Sequence, residues 1–228
     1  MSQWWVHQQF YAGGFPLVMS WAFWVIFSIT LHELAHGVVA IWQGDSTPRD
    51  TGHMTWNPLV HMGMISLAMF AFIGIAWGLM PTDPSRYRDK RRGRIYVALA
   101  GPVLNLGLAL IAIVALGLYV RLLPEDTALT LFQERMINFF YLGGMLNLVL
   151  FGLNLLPIPP LDGAQVLMGM SMRFYQWFND PKIRQYAFFG VLLIFYFTPL
   201  GPVAFAIAEK FTWEGAALIH GGTLVAGN

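Results

Sequence analysis

Residues 17–42 read LVMSWAFWVIFSITLHELAHGVVAIW, and this run decides the fold class of the chain. It is predicted to cross a bilayer as one helix, because about 20 consecutive, mostly apolar residues are enough to do so. Three ionisable side chains, those of His32, Glu33 and His36, nevertheless lie within it. Each such group costs about 2.5–3.5 kcal/mol at the centre of a membrane helix, so three together indicate a functional site.

The composition of the whole chain is that of a polytopic membrane protein. Of its 228 residues, 57% are hydrophobic and 11% are charged, and the mean hydropathy is +0.56. Soluble domains, in contrast, carry about 25% charged residues. A formal net charge of +1 gives no acidic or basic bulk field that would point to nucleic acid, so no nucleic-acid partner is expected. The chain has no cysteine, so a metal would have to be held by His, Asp, Glu or water.

Further apolar runs predict an all-α polytopic membrane protein with about four to six membrane segments. The other runs that are long enough to span are residues 95–120, 137–157 and 185–209. A break is expected near Pro199 and Pro202, because proline has no amide hydrogen to donate. Residues 61–80 are apolar but rich in glycine, so they either cross the membrane or enter it and return.

The positions of Lys and Arg predict the orientation. Six of the thirteen lie within residues 86–94, and Arg173, Lys182 and Arg184 follow two spans later. We therefore expect the Arg-rich loop 86–94 and the LDG sequence at 161–163 on the cytoplasmic side of a bacterial inner membrane. The 86–94 cluster is interpreted as an anchor on anionic headgroups rather than as a ligand site.

The HELAH sequence has the spacing of a metal site. His32 and His36 are four residues apart and so share one face of a helix, where their imidazoles can bind one ion. HExxH is the pattern of zinc proteases, in which the glutamate takes a proton from the attacking water. The alternative is that both histidines are neutral and hydrogen-bonded to neighbouring helices, with Glu33 protonated.

A third ligand has to come from another part of the chain, because catalytic zinc takes three protein ligands and keeps one open position. Asp162, in NLLPIPPLDG at 154–163, is the candidate. The prolines before it cannot continue a regular helix, and irregular backbone at membrane depth is tolerated where it is buried or lines a water-filled cavity. The alternative for Asp162 is a role as the N-cap of the following helix.

These motifs resemble the site-2 protease family of intramembrane zinc metalloproteases, as do GPVLN at 101–105 and GHMTWNP at 52–58. The resemblance implies His32, His36 and Asp162 as the ligands of one Zn²⁺ and Glu33 as the general base. It also implies that Asn154 helps to hold an unwound substrate, that residues 52–58 form a strand near the active site, and that residues 61–80 are re-entrant.

The residues around the proposed strand are weaker candidates. His53 and Thr55 alternate with Met54 and Trp56, as in a strand, and an edge strand could pair with an unwound substrate. Thr55 and Asn57 are therefore predicted to contact substrate.

Two further polar residues are possible auxiliaries of the site. His61 could polarise a carbonyl group or make a structural hydrogen bond. Asn105 could reach the site or bond across helices. For both residues the structural role is favoured.

The resemblance predicts an endopeptidase that hydrolyses peptide bonds in transmembrane segments of membrane-anchored proteins, as in regulated intramembrane proteolysis. The expected organisation is one intramembrane metalloprotease core over residues 1–228. It comprises an interfacial segment at 1–16, a membrane core at 17–209 and a tail at 210–228. Expected partners are the substrate segment, the lipid bilayer and possible further membrane proteins.

Three alternatives stay open. The first is a non-proteolytic structural or regulatory subunit that retains the metal site, although all three ligands and Glu33 are intact. The second is a zinc transporter, which would need further ligand pairs along a pathway. The third is another type of membrane zinc protease with a glutamate as third ligand, for which the remaining glutamates lack a suitable setting.

Overall fold

The computed structural model describes residues 5–124 and 128–222, and this part of the chain is helical without strands. The helices are α1 (Trp5–Trp42), α2 (Thr47–Asp50), α3 (Pro58–Ile73), α4 (Lys90–Arg121), α5 (Leu131–Asn154), α6 (Asp162–Met170), α7 (Met172–Phe178), α8 (Pro181–Phe197) and α9 (Leu200–His220). A short 3₁₀ turn, Pro84–Arg86, precedes α4. The prediction of an all-α protein is confirmed.

Within the described residues, three helices are long and apolar enough to cross a membrane: α1, α4 and α5. A fourth crossing is formed if Phe189–Phe195 and α9 count as one span, since these two pieces meet at an angle of 67°. The break falls between Phe197 and Leu200, around Pro199, where the sequence predicts it. The count of three to four meets the predicted four to six only at its upper value.

The core is formed where α1, α4 and α5 pack together. The indole N–H of Trp24, on α1, donates to the carbonyl oxygen of Phe139 on α5 at 2.8 Å. Gly143 lies against this indole, and a Cβ at position 143 would come within 2.6 Å of Trp24 Cε2. Small residues at such contacts let membrane helices approach closely, because association there depends on packing rather than on exclusion of water.

Residues 58–83 form a hairpin rather than a single crossing. Helix α3 ends at Gly74, whose φ of 77° lies in the left-handed region that favours glycine. The chain then returns alongside the helix, and Leu79 N–H donates to the carbonyl oxygen of His61 at 2.8 Å. The Ser66 hydroxyl donates to the Trp77 carbonyl oxygen and accepts from the Trp77 N–H. Residues 61 and 79 therefore lie side by side, as a re-entrant segment requires.

The start of α1 packs against the tip of this hairpin. The helix is interrupted at Gly13 and Gly14, which have non-helical backbone angles, so its first part can turn toward α3. The indole N–H of Trp5 donates to the Ala71 carbonyl oxygen at 3.3 Å, and its ring lies 5.0 Å from that of Phe70. Trp5 thereby ties the start of α1 to the end of α3.

The prediction of a strand at residues 52–58 is wrong. This segment is a series of turns and bends that connects α2 to α3. The Thr55 N–H donates to the carbonyl oxygen of His53, and the Thr55 carbonyl accepts from the His61 imidazole at 2.7 Å. Because both backbone groups of Thr55 are taken by local partners, the residue cannot join the hydrogen-bond ladder of a sheet.

Candidate metal centre

Two distant parts of the sequence meet at the candidate metal centre. Helix α1 carries His32 and His36 on one face, and Asp162 is the first residue of α6. Asp162 Oδ2 lies 3.0 Å from His32 Nε2, and Asp162 Oδ1 lies 3.4 Å from His36 Nε2. One ligand atom from each residue can be chosen so that all three lie within 4.8 Å of one another. The structure thus brings together the three predicted ligands.

Asp162 faces the histidines and does not cap its own helix. Leu161 occupies the N-cap position of α6, and no side chain makes a capping hydrogen bond there. Gly163 lies against the end of α5, where a Cβ would come within 2.5 Å of the Leu156 carbonyl oxygen. The glycine lets α6 start directly beside α5, and the turn that contains Pro157, Pro159 and Pro160 directs Asp162 toward α1.

Each imidazole is also held from behind by α4. The Val97 carbonyl oxygen lies 2.6 Å from His36 Nδ1, and Asn105 Oδ1 lies 2.5 Å from His32 Nδ1. A carbonyl oxygen can only accept, so His36 Nδ1 carries the ring hydrogen and Nε2 presents a lone pair. Metal-binding histidines are commonly oriented by such a bond on the second ring nitrogen.

The site fits Zn²⁺ by its unsatisfied atoms as well as by its residue types. Asp162 Oδ2 is buried and has no hydrogen-bond partner among the described residues. The Nε2 lone pair of His36 faces the same carboxylate, so acceptor atoms meet without a donor between them. A cation resolves this arrangement. Two imidazole nitrogens and one carboxylate form a ligand set used by catalytic zinc, which keeps a fourth position open.

The GPVLN sequence positions α4 against the histidines. A Cβ at Gly101 would lie 2.5 Å from His32 Nε2 and 2.6 Å from His36 Nε2, so only glycine allows the α4 backbone to come this close. Asn105 follows four residues later on the same face of α4 and reaches His32. The spacing in this motif therefore places both Gly101 and Asn105 against the pair of imidazoles.

A cavity of about 880 Å³ opens beside the cluster. Its walls include Glu33, the three candidate ligands and the irregular stretch at residues 76–83. Gly78 of this stretch faces Glu33, and a Cβ there would lie 2.5 Å from Glu33 Cγ. At the rim, the hydroxyl and N–H of Ser85 donate to Asp83 and hold the pKa of that carboxyl below its usual value. The cavity has the size of a ligand site and contains both the candidate base and the ligands.

The remaining predicted residues differ in their distance from this cavity. Asn154 lines it, and its amide nitrogen donates to the Leu150 carbonyl oxygen at 3.0 Å. Thr55 and Asn57 are not among its lining residues; Asn57 instead caps α3 by accepting from the Leu59 N–H.

His61 and Asn105 are both buried, but they differ in their relation to the site. His61 donates from Nε2 to the Thr55 carbonyl oxygen, and its Nδ1 has no partner among the described residues. It does not line the cavity. Asn105 contacts the candidate ligand His32 directly.

Two residues near the site were missed by the sequence reasoning. Gly78 lies in a run of glycines and large apolar residues, and nothing in that local pattern marks its contact with Glu33. Asn147 is fully buried on α5 and accepts a hydrogen bond from Asn105 at 2.9 Å. The available signal was an asparagine in the middle of an apolar membrane helix, where polar residues are expensive.

Comparisons with known proteins agree with the geometry. The sequence model described as "Peptidase family M50" matches residues 20–131 and 123–197. Three relatives bear the name "Putative zinc metalloprotease". YwhC of Bacillus subtilis is 35% identical over 180 residues, which cover 78% of this chain and 80% of YwhC.

The other two are matched over less of their length. Rip2 of Mycolicibacterium smegmatis is 35% identical over 162 residues, or 69% of this chain and 58% of Rip2. MJ0611 of Methanocaldococcus jannaschii is 32% identical over 136 residues, or 60% of this chain and 62% of MJ0611. This chain therefore spans less than two thirds of each. No solved structure matches it. The resemblance found in the sequence is confirmed: the chain belongs to peptidase family M50, the site-2 protease family.

Proposed function

We propose that this protein is a zinc-dependent intramembrane endopeptidase that hydrolyses peptide bonds in transmembrane segments of membrane-anchored proteins. The observation that carries the proposal is the convergence of His32, His36 and Asp162 beside Glu33 in one cavity within apolar helices. A structural protein would have little reason to bury these four ionisable groups together, because each is costly at membrane depth.

The roles of the residues follow from their positions. His32, His36 and Asp162 would hold the metal. Bound there, Zn²⁺ would supply a water of lowered pKa and polarise the scissile carbonyl group. Glu33 lies next to the ligands without being one of them, so its carboxylate can take a proton from the attacking water and give it to the leaving amine.

Access of substrate depends on the cavity. A helical substrate hides its carbonyl groups in its own hydrogen bonds, so it has to unwind before it reaches the ligands. Asn154 lines the cavity on the α5 side, and we assign it the role of holding the unwound segment by its backbone. Cavity walls formed partly by irregular backbone, residues 76–83, support this proposal, because such backbone at membrane depth suits a site that admits water.

We also propose an orientation and a domain organisation. Arg91 donates to the carbonyl oxygens of Gly169 and Met170 at the end of α6, which supports a common side for the Arg-rich loop 86–94 and for Asp162. By the distribution of Lys and Arg that side is cytoplasmic, in a bacterial inner membrane. The chain then acts as one catalytic core over residues 1–228.

The test is a comparison of zinc content with proteolysis in purified protein. Wild type is expected to bind one Zn²⁺ per chain and to cleave at least one protein in a panel of single-span membrane proteins. Glu33→Gln is expected to keep the metal and to lose about 10²–10⁴-fold in turnover, the contribution typical of a general base. Glu214→Gln is the matched control, because Glu214 is exposed on α9 and pairs with Lys210.

Two outcomes would contradict the proposal. Full activity of Glu33→Gln would remove Glu33 from the mechanism. A wild-type protein that binds zinc and cleaves no member of the panel would favour a non-proteolytic subunit that retains the metal site.

A further inference from the structure

A chain of hydrogen bonds runs from His32 into the packed core and includes Asn147, which does not line the cavity. Asn105 Oδ1 contacts His32 Nδ1 at 2.5 Å, and Asn105 Nδ2 donates to Asn147 Oδ1 at 2.9 Å. Asn147 Nδ2 then donates to the Gly143 carbonyl oxygen at 2.9 Å. Both asparagines are fully buried, so the chain links α1, α4 and α5 without contact with solvent or lipid.

The Gly143 end of this series of hydrogen bonds determines which group donates and which accepts in each of them. The Gly143 carbonyl oxygen can only accept, so the atom of Asn147 that faces it has to be the amide nitrogen. The oxygen of Asn147 then faces Asn105, which has to present its own amide nitrogen. Exchanging nitrogen and oxygen in either amide would bring two donors or two acceptors together. The series of hydrogen bonds therefore has one arrangement of donors and acceptors.

The arrangement decides which ring nitrogen of His32 carries hydrogen. Asn105 presents its oxygen to His32, and an oxygen of this kind only accepts, so Nδ1 carries the hydrogen. In a neutral imidazole, Nε2 then presents a lone pair. This atom lies 3.0 Å from Asp162 Oδ2 and 3.0 Å from His36 Nε2, where the metal would bind. The Val97 carbonyl sets His36 in the same way, directly from the backbone.

We propose that Asn147 is a positioning residue that, through Asn105, fixes the ring nitrogen with which His32 binds zinc. The inference rests on the zinc site of the proposed function. It assigns a task to two buried amides in membrane helices that packing alone does not explain, since apolar side chains of similar shape would fill the same space. Replacing buried hydrogen-bonded partners by such side chains is often nearly neutral for stability.

Two substitutions at position 147 separate positioning from packing. Asn147→Leu removes the acceptor that orients Asn105, so the Asn105 amide can turn and His32 can carry hydrogen on either nitrogen. We expect the zinc affinity of full-length protein in detergent, measured by competition with a chelator, to fall about 10–100-fold, as is typical when a group that orients a ligand is lost. Asn147→Asp still offers an oxygen to Asn105, so its zinc affinity should stay near that of wild type even where its melting temperature falls.

Thr212→Val is the control for loss of a buried polar group. Thr212 is fully buried on α9, and its hydroxyl donates within that helix to the Ala208 carbonyl oxygen at 2.7 Å. Its replacement is expected to leave zinc affinity unchanged. A double-mutant cycle adds a second control: once Asn105 is leucine, the change Asn147→Leu should cost no further zinc affinity, because the two residues act in series.

A spectroscopic measurement tests the tautomer itself. In zinc-free protein with ¹⁵N-labelled histidine, at a pH high enough for both imidazoles to be neutral and assigned by comparison with His32→Ala, wild type should show hydrogen on Nδ1 of His32 and none on Nε2. Asn147→Leu should show both tautomers. The inference is overturned if Asn147→Leu keeps wild-type zinc affinity, or if Asn147→Asp loses as much affinity as the leucine variant. These measurements need no proteolysis, so a protein that binds zinc without cleaving substrate would contradict the proposed function and leave this inference standing.

Discussion

The two sides of the candidate metal centre are held in different ways. On the α4 side, both imidazoles are bonded through Nδ1, one to Val97 and one to Asn105, and Gly101 brings the backbone of α4 against them. On the opposite side, Asp162 stands at the start of a nine-residue helix with one oxygen unpartnered among the described residues, and residues 75–83 are irregular. The histidine side is therefore held by more contacts, and we expect the side formed by Asp162 and residues 75–83 to be the more adjustable one.

The largest effect on zinc binding is expected from a substitution of Asp162, on the more adjustable side. Asp162→Ala removes one of the three candidate metal ligands, and no further described residue belongs to that group. Loss of a group that orients a ligand lowers metal affinity by up to about 100-fold. Loss of a ligand itself should lower zinc affinity by more than this, and turnover should fall with it. Metal content after dialysis gives the measurement, with Asp50→Ala on exposed helix α2 as control. Retention of zinc by Asp162→Ala would show that the histidine side binds metal alone.

Gly101→Ala tests the rigidity of the histidine side. The new methyl group would lie 2.5 Å from His32 Nε2, and α4 is packed between α1 and α5, so it cannot move aside freely. We expect loss of stability of about 1–3 kcal/mol, as for overpacked cores, together with weaker zinc binding. Gly107→Ala, on the same helix with no atom within 4 Å of its added Cβ, is the matched control. Equal behaviour of the two variants would contradict a close-packed histidine side.

Gly78→Ala is expected to have a smaller effect of a different kind. Its methyl group would crowd Glu33 Cγ, but residues 75–83 are not held in a helix and can shift. Turnover should decrease because Glu33 is displaced, while zinc content stays at the wild-type level because Glu33 is not a ligand. A Gly78→Ala variant that loses zinc as fully as Gly101→Ala would mean that both sides are equally rigid.

The smallest effect concerns the start of α4, outside the membrane. The backbone N–H groups of Arg92 and Arg91 donate to Asp89 and hold its pKa below the usual value. Because the pKa is lowered in the folded state, the charge of Asp89 stabilises the protein above the unfolded pKa, and this contribution is lost as pH falls through the folded pKa. Asp89→Asn keeps a capping oxygen without the charge, so its deficit in melting temperature should be small at pH 7 and shrink in acid. A deficit that does not change with pH would exclude the charge as its cause.

The candidate ligand residues could be identified from the sequence because their signals are local. The spacing of His32 and His36 reflects one turn of one helix, and the prolines before Asp162 mark the end of another. Asn147 could not be assigned a role in this way, because its contact with Asn105 depends on the register between α4 and α5. No short stretch of sequence contains that register.

The strand at 52–58 failed for a related reason. Alternation over four residues, from His53 to Trp56, fits an extended strand and a compact turn equally well. The turn is favoured here because His61, eight residues after His53, takes the Thr55 carbonyl oxygen. The irregular backbone beside the site instead lies at residues 75–83. The sequence shows Gly74 and Gly78, but it does not show that the chain returns alongside His61.

The contact of Trp5 with the hairpin has a practical consequence for purification and labelling. Its indole holds the Ala71 carbonyl and covers Gly74, at the tip of the segment whose returning stretch lies over Glu33. An affinity tag or label attached close to Trp5 would disturb this contact, and assays of such a protein would report on a changed cavity. Attachment at an exposed residue away from Trp5, such as Glu214 on α9, leaves the contact of Trp5 intact.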